Sequence, residues 1–369
     1  MTKSTKPKKQ SNTRIEGNVT GKNVIIGNDN TINVQEAIKT AYGLLTIPSP
    51  VTDFTGREAE LAQLKSAFTN GAIITGLSGS GGIGKTELAR KLAYEIATNY
   101  PDAQLNIDLL GTSEKPTSPV EVMRRLLEPF YTDQKLPDDE TQLKGLYQET
   151  FANKKVLLLL DNAFDLAQVR PLIPPAPSAA IITSRQHFSL PEFGMREPLR
   201  LDVLSPEKAR EFLRGASPKL NDSPAQEVEQ LAKLCGHLPL ALRVAASLLN
   251  DRPDWTASAL INRLQDEHTR LKRLKREGDH DVEAMLNLSY EQLSDDLKKH
   301  IRALGIFTAP FAKVSAQAVL EIADEEELDE VLGKLITRSF LNSQRSDGVV
   351  DNLYSLHDLT RLYAAQKNA

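Results

Sequence analysis

Apolar and polar positions change their period along the 369 residues, and the changes mark out the elements. Between residues 51 and 204, short apolar runs alternate with segments whose apolar residues recur every three to four positions. The runs are AII at 72–74, QLNIDL at 104–109, KVLLLLD at 155–161 and AAIITSR at 179–185. A wholly apolar run bounded by polar residues suits a strand buried on both faces, as in a parallel sheet. The intervening segments predict helices: one near 58–68 with Leu61, Leu64 and Phe68 on one face, one from Thr86, and two near 119–130 and 140–151. Strands and helices in alternation predict a doubly wound α/β domain over residues 51–204.

The pattern differs on either side. Residues 1–14 are polar and carry Lys3, Lys6, Lys8 and Lys9, which predicts a disordered basic tail. Residues 15–50 hold alternating Ile, Val and Thr punctuated by Gly and Asn. They predict short strands with tight turns, a short helix near 37–45 and a linker at IPSP. So small a β segment needs a partner, either the main body or copies of itself. After Leu204 the strand signals stop. SPEKAREFL at 205–213 has a Ser cap, a Pro at the first helical position and a Glu in the first turn. Helices are expected to 249, then a looser charged segment to about Asp281, the two making a helical domain over 205–284. Residues 286–311 read as helical again. Two helices at 314–320 and 325–338 and a hairpin turning at Asp347-Gly348 give 285–369 the outline of a winged-helix domain.

Composition excludes some classes. A net charge of −4 gives no global preference for nucleic acid or anionic membrane, and no apolar run approaches the ~20 residues of a membrane span. The lysine-rich start lacks the apolar stretch of a signal peptide. The single cysteine, Cys235, excludes an internal disulfide, fits a reducing cytoplasm, and has the apolar neighbours of a buried structural thiol. The basic cluster at 270–276 reads as a solvated face. A cytoplasmic protein is expected.

The chemistry is concentrated where the first apolar run ends. Residues 79–86 spell G-x-x-x-x-G-K-T, the phosphate-binding loop, set between a strand and a helix as that loop requires. Gly79, Gly81, Gly82 and Gly84, with Ile83 among them, let backbone N–H groups turn toward an anion. Lys85 supplies a cation for the β- and γ-phosphates, Thr86 a hydroxyl for Mg²⁺, and Glu87 follows in the first helical turn. The helix aims its positive end at the phosphates. Asp161 ends an apolar strand, where its carboxylate can hold Mg²⁺ opposite Thr86. Arg185 ends the next strand, on the edge where it can contact a γ-phosphate.

FTGRE at 54–58, the phosphate loop, LLLLDNA at 157–163, TSR at 183–185, GHLPLAL at 236–242, LSYEQL at 288–293 and LHD at 356–358 occur in the order of an NB-ARC domain. The sequence resembles that family, the nucleotide switch of STAND ATPases, from about residue 51 to 369, with AQL at 103–105 and LDNA most similar to its bacterial branch. The resemblance implies a P-loop NTPase that binds ATP or ADP with Mg²⁺ and forms homo-oligomers in the ATP state. It implies that Arg57 lies beside the base or ribose, that residues 81–86 wrap the phosphates, and that Asp161 organises the metal. It further implies that Arg185 senses the γ-phosphate, Pro239 packs on the base, and His357 reaches the β-phosphate and locks the domains shut.

Two departures from the family pattern stand out. Asn162 occupies the position where many members carry a second acid, and an amide orients water without taking its proton. Asp165, one turn on, is a substitute whose geometry the sequence leaves open. Slow hydrolysis is expected, which makes the chain a switch with at most weak ATPase activity and disfavours a fast motor. The second departure is that the N-terminal segment is short for an effector domain and no repeat array follows Asp358. The alternative is a winged-helix DNA-binding transcriptional regulator gated by nucleotide. Its recognition helix should be basic, and EELDEVLGKLITRS sets Glu326, Glu327, Asp329 and Glu330 against Lys334 and Arg338.

Overall fold

The computed structural model describes residues 24–25, 31–32, 46–51, 54–69, 74–113, 115–132, 134–195, 197–276, 280–345 and 352–368. The chain forms two compact units, residues 1–42 and 43–369. In the first, strand β1 (Val24–Ile25) pairs antiparallel with β2 (Thr31–Ile32), Val24 opposite Ile32. The basic tail, the rest of the strand segment and the helix expected near 37–45 lie outside the described residues.

The second unit begins with helix α1 (Glu58–Thr69), then β3 (Ile74–Ser78) and α2 (Lys85–Ile96). Strand β4 (Ala103–Asp108), helices α3 (Pro119–Leu127) and α4 (Glu140–Phe151), and strand β5 (Val156–Ala163) follow. Helix α5 (Leu166–Val169), β6 (Ala179–Ser184) and β7 (Leu199–Arg200) complete the layer. The strands form one parallel sheet in the order β4-β5-β6-β3-β7. Residues 156–160 of β5 are fully buried in succession, as a two-sided parallel strand requires. Each such leucine contributes roughly 1.5–3 kcal/mol by leaving water. The chain therefore has the parallel α/β fold expected of a P-loop NTPase.

Strand β3 is longer than the apolar run alone implies. It continues through Gly76 to Ser78 because the ladder to β6 runs on, with Gly76 opposite Ile182 and Ser78 opposite Ser184. The phosphate loop proper is thus residues 79–84. β5 meets β6 with a bulge: Leu160 opposes Ile182, but Ala163 opposes Ser184, so Asp161 and Asn162 share the space across from Thr183.

Helices then take over: α6 (Pro206–Ala216), α7 (Ala225–Leu234), α8 (Pro239–Asp251), α9 (Ala257–Leu264) and α10 (Glu267–Arg273). Ser205 caps α6 through Lys208 N–H, as its sequence predicts. The segment expected to be loose holds α9 and α10, because Leu260, Ile261, Leu264 and Leu271 bury a continuous apolar stripe. Arg270 is not solvated: it is buried, and its Nε donates to the Leu264 carbonyl at 2.7 Å. Cys235 is fully buried, and burial pushes its thiol up to about 12, the behaviour of a structural cysteine.

A short ladder, β8 (Lys275–Arg276) with β9 (His280–Asp281), leads into α11 (Val282–Tyr290) and α12 (Asp295–Leu304). The helical stretch expected at 286–311 is therefore two helices, the second begun by a Ser294 cap. Strand β10 (Phe311–Ala312), α13 (Lys313–Leu320), α14 (Glu325–Thr337), β11 (Asn342–Arg345), β12 (Asn352–Ser355) and α15 (Asp358–Gln366) finish the chain. β10, β12 and β11 form a three-stranded antiparallel sheet. The expected turn at Asp347-Gly348 lies outside the described residues. No described helix is long and apolar enough to cross a membrane.

Candidate nucleotide-binding site

At the C-terminal edge of the parallel sheet lies a cavity of about 610 Å³, within the range that holds small molecules. The loop after β3 forms its floor. Lys85 Nζ donates to the Gly79 and Ser80 carbonyls, both at 2.8 Å, so the lysine closes its own loop. Burial, with the Arg185 charge added, lowers its ammonium from the usual value to about 7, against the pull of Asp161. Thr86 Oγ1 donates to Asp161 Oδ1 at 2.9 Å, which joins the loop helix to β5. Thr183 also donates to Asp161, while its oxygen accepts the Asn162 N–H at 2.9 Å. One buried hydroxyl thus fixes both residues of the bulge, a role the sequence does not single out.

Asn162 has a left-handed backbone, φ 56°, a conformation its type tolerates. Its Nδ2 donates to Asp108 Oδ1 at 3.2 Å and to Thr112 Oγ1 at 3.3 Å. Asp108 and Thr112 belong to the end of β4 and the loop after it, and both line the cavity. Gly111 is pressed against the bulge; a Cβ there would meet the Asn162 carbonyl oxygen at 2.4 Å, so no larger residue fits. Asp165 instead caps α5 through Gln168 N–H at 2.8 Å and does not line the cavity.

The opposite end of the cavity is apolar, with Phe54, Leu204, Phe212, Pro239 and Leu240, and the Arg243 guanidinium lies 5.4 Å from the Phe212 ring. Arg57 lines this end, is buried, and donates to the carbonyls of Ile83 (3.2 Å) and Asp202; its Nε has no partner among the described residues. Glu87 also lines the cavity and pairs with Arg90 at 2.8 Å, leaving Oε2 buried and without a partner among the described residues.

Elements distant in sequence close the loop from outside. The Leu240 N–H, in the first turn of α8, donates to the Gly82 carbonyl at 3.1 Å. Met285 of α11 lies on Gly81, where a Cβ would sit 2.0 Å from its sulfur. Arg185 Nη1 donates to the Met285 carbonyl at 3.1 Å and to Ser289 Oγ, and burial lowers its guanidinium to about 10. His357 is not among the cavity residues. It borders a separate small void shared with Ser80 and Gly81, its Nε2 3.3 Å from Asp202 Oδ1 and 3.2 Å from Asn342 Nδ2. The structure thus gathers Arg57, residues 81–87, Asp161, Asn162, Arg185 and Pro239 around one cavity, with Gly79 behind it and His357 beside it.

The donor set fits a nucleotide with its metal. Among the described residues the hydrogen-bond partners of Lys85 are neutral carbonyls at a desolvated site, and an anion would satisfy it. Thr86 and Asp161 offer the hydroxyl and carboxylate that hold Mg²⁺, and the apolar end suits a base.

Comparison with known proteins agrees with this geometry. Residues 57–221 match the NB-ARC domain. The chain carries that domain, on a P-loop NTPase fold that implies nucleotide binding. It is 36% identical over 325 residues to the regulatory protein AfsR of Streptomyces griseus, covering 86% of this chain and 32% of that protein. It is 25% identical over 333 residues to the disease resistance protein RML1B of Arabidopsis thaliana, covering 86% and 31%. Among solved structures, a Walker-type ATPase of Pyrococcus abyssi superposes with a TM-score of 0.57 at 15% identity, covering 87% of this chain and 98% of that one. The chain spans about a third of the length of these curated relatives.

Proposed function

We propose that the protein is an ATP/ADP-binding molecular switch with slow hydrolysis, in which nucleotide exchange controls opening and homo-oligomerisation. The observation that carries this reading is the closure of the phosphate loop by α8 and α11 through Leu240, Met285 and Arg185. A loop walled by separate helical elements changes its contents only as those elements move. In this reading residues 51–204, 205–284 and 285–369 are the moving domains, the last a winged helix. Lys85 and the loop N–H groups bind the phosphates, Thr86 and Asp161 hold Mg²⁺, which neutralises phosphate charge when bound, and Pro239 and Arg57 face the base and ribose. Arg185 meets a γ-phosphate once α11 releases it, and His357 favours the closed state.

The test is the nucleotide content and mass of the purified protein. ADP retained on purification, a monomer with ADP and a larger assembly with a non-hydrolysable ATP analogue are expected. An empty site with turnover above about one per second, inside the usual enzyme range, would replace the switch by a motor. Similarity to a regulatory protein favours one further reading, a nucleotide-gated DNA-binding regulator. Against it, α14 exposes Glu325, Glu326, Glu327, Asp329 and Glu330. Salt-dependent binding to duplex DNA would restore that reading.

A further inference from the structure

We propose that Asp108, at the end of β4, supplies the general base for nucleotide hydrolysis that Asn162 cannot. This rests on the nucleotide-switch reading above and assigns a role to a residue that neither the phosphate loop nor the strand carrying Asp161 contributes.

The argument starts from the register. Asp108 pairs with Asp161 across β4 and β5, so a carboxylate stands one strand away from the residue that binds Thr86. Asn162 follows Asp161 at the β5 bulge against β6, and its side chain reaches back to Asp108. A carboxylate only accepts hydrogen bonds, so Asp108 Oδ1 fixes which end of the Asn162 amide faces it: the NH₂ group. That NH₂ has two hydrogens, and Asp108 and Thr112 take them. The amide oxygen remains, and it can accept a hydrogen from a water but cannot remove a proton from it. Asp108 Oδ1 accepts from the Asn162 amide and from the Leu110 N–H at 2.8 Å, and both bonds hold the carboxyl in place at the cavity wall. Its Oδ2 has no hydrogen bond among the described residues.

The other carboxylates near the site are placed differently. Asp161 receives Thr86 and Thr183, and Asp165 caps α5 away from the cavity. Glu87 keeps Oε2 unpaired among the described residues, but its Oε1 is held by Arg90 in the first turn of the loop helix and nothing ties it to Asn162. The loop that follows Asp108 is itself anchored from just past α11, where Gln292 Nε2 donates to the Gly111 carbonyl at 2.6 Å. Asp108 is therefore both positioned and chemically free.

In the step this implies, a water held by the Asn162 oxygen attacks the terminal phosphorus while its proton passes to Asp108. The new phosphorus–oxygen bond forms as the bond to the bridging oxygen breaks. The electron pair leaves on the nucleoside diphosphate, and the proton returns from Asp108 to solvent or phosphate.

Three variants test the assignment: Asp108→Asn, which keeps the shape, the exchange Asp108→Asn with Asn162→Asp, and Asp165→Asn. Single-turnover hydrolysis should fall about 10²-fold or more in Asp108→Asn, the usual contribution of a positioned base. Affinity for a non-hydrolysable ATP analogue should stay within about threefold. Protein incubated with ATP, desalted and extracted should carry ATP where the wild type carries ADP. The exchanged pair restores a carboxylate to the couple and should recover part of the rate, while Asp165→Asn should hydrolyse as the wild type does. Wild-type hydrolysis in Asp108→Asn, or loss of analogue binding in it, overturns the assignment. Loss of hydrolysis in Asp165→Asn alone moves the base to that residue. A wild-type chain that binds no nucleotide at all overturns the switch reading instead, and calorimetry separates that outcome from the others.

Discussion

Lys85, buried, and Arg185, partly buried, stand beside the same loop and are held in opposite ways. Lys85 is tied to carbonyls five and six residues back, inside its own loop. Arg185 is tied to Met285 and Ser289, 100 and 104 residues on, in a helix outside the sheet. Lys85 therefore belongs to a wall that exists whenever the α/β layer is folded. Arg185 belongs to a seam that exists only while α11 is docked. In the proposed switch, a site built from both has a permanent half and a removable half, which is the physical requirement for coupling occupancy to shape. A ligand shifts such a balance only through contacts that differ between the two states.

The largest effect expected is at the permanent half. Lys85→Ala removes a cation facing the phosphates, and a charge-assisted bond of this kind contributes roughly 1.5–3 kcal/mol. Affinity for both ATP and ADP should fall ten-fold or more by calorimetry, with thermal stability of the apo chain little changed. Equal affinity in the variant would remove Lys85 from the site and dissolve the comparison.

At the removable half the expected effect is smaller and selective. Arg185→Ala breaks two bonds to α11 but touches none of the loop's own contacts. The ADP off-rate should rise about five- to thirty-fold, the equivalent of 1–2 kcal/mol, while ADP affinity of the isolated α/β layer stays the same. Ser289→Ala should produce a fraction of that change, and the double variant should add little to Arg185→Ala, because the two share one bond. Additive effects would mean that Arg185 and Ser289 act on separate parts of the seam.

The same division explains what was legible in the sequence. The phosphate loop, the strand that ends at Asp161 and the Ser205 cap depend on residues close together in the chain, so period and spacing carry them. Met285 reads as one more apolar residue of an amphipathic helix; only the fold brings it 204 residues back onto Gly81. Arg270 reads as a surface cation because nothing local says that α9 offers it carbonyls. Asp108 at a strand end reads as a polar terminator, and Thr183 as the first letter of a tripeptide, until the β5 bulge brings both to Asn162. His357 reads as a hairpin-adjacent histidine, and its role by resemblance is a phosphate contact. In the structure its described partners are Asp202 and Asn342.

That contact gives the smallest and most specific expectation. Asn342 is oriented by Arg200, whose Nη2 donates to the Asn342 oxygen at 2.9 Å, and Asn342 Nδ2 then faces the imidazole. Burial holds the His357 pKa below its ordinary 6.5, and Arg200 pushes the same way, with Asp202 and Asp358 pulling against them. A histidine whose folded pKa is depressed is neutral in the native state, so its contribution is present above the unfolded value of 6.5 and is lost as pH falls through the folded one. The seam should therefore weaken on acidification from pH 7.5 toward 5.5. His187, His237 and His300 are depressed by burial in the same direction and add to the slope. His357→Ala removes one of the four titrations and a bond of about 1 kcal/mol. The melting temperature at pH 7.5 should drop by a few degrees, the fall between pH 7.5 and 5.5 should become shallower, and ADP should leave several-fold faster. An unchanged pH slope together with an unchanged ADP off-rate would show that His357 only fills space between Asp202 and Asn342. The removable half of the site would then rest on Arg185 and Met285.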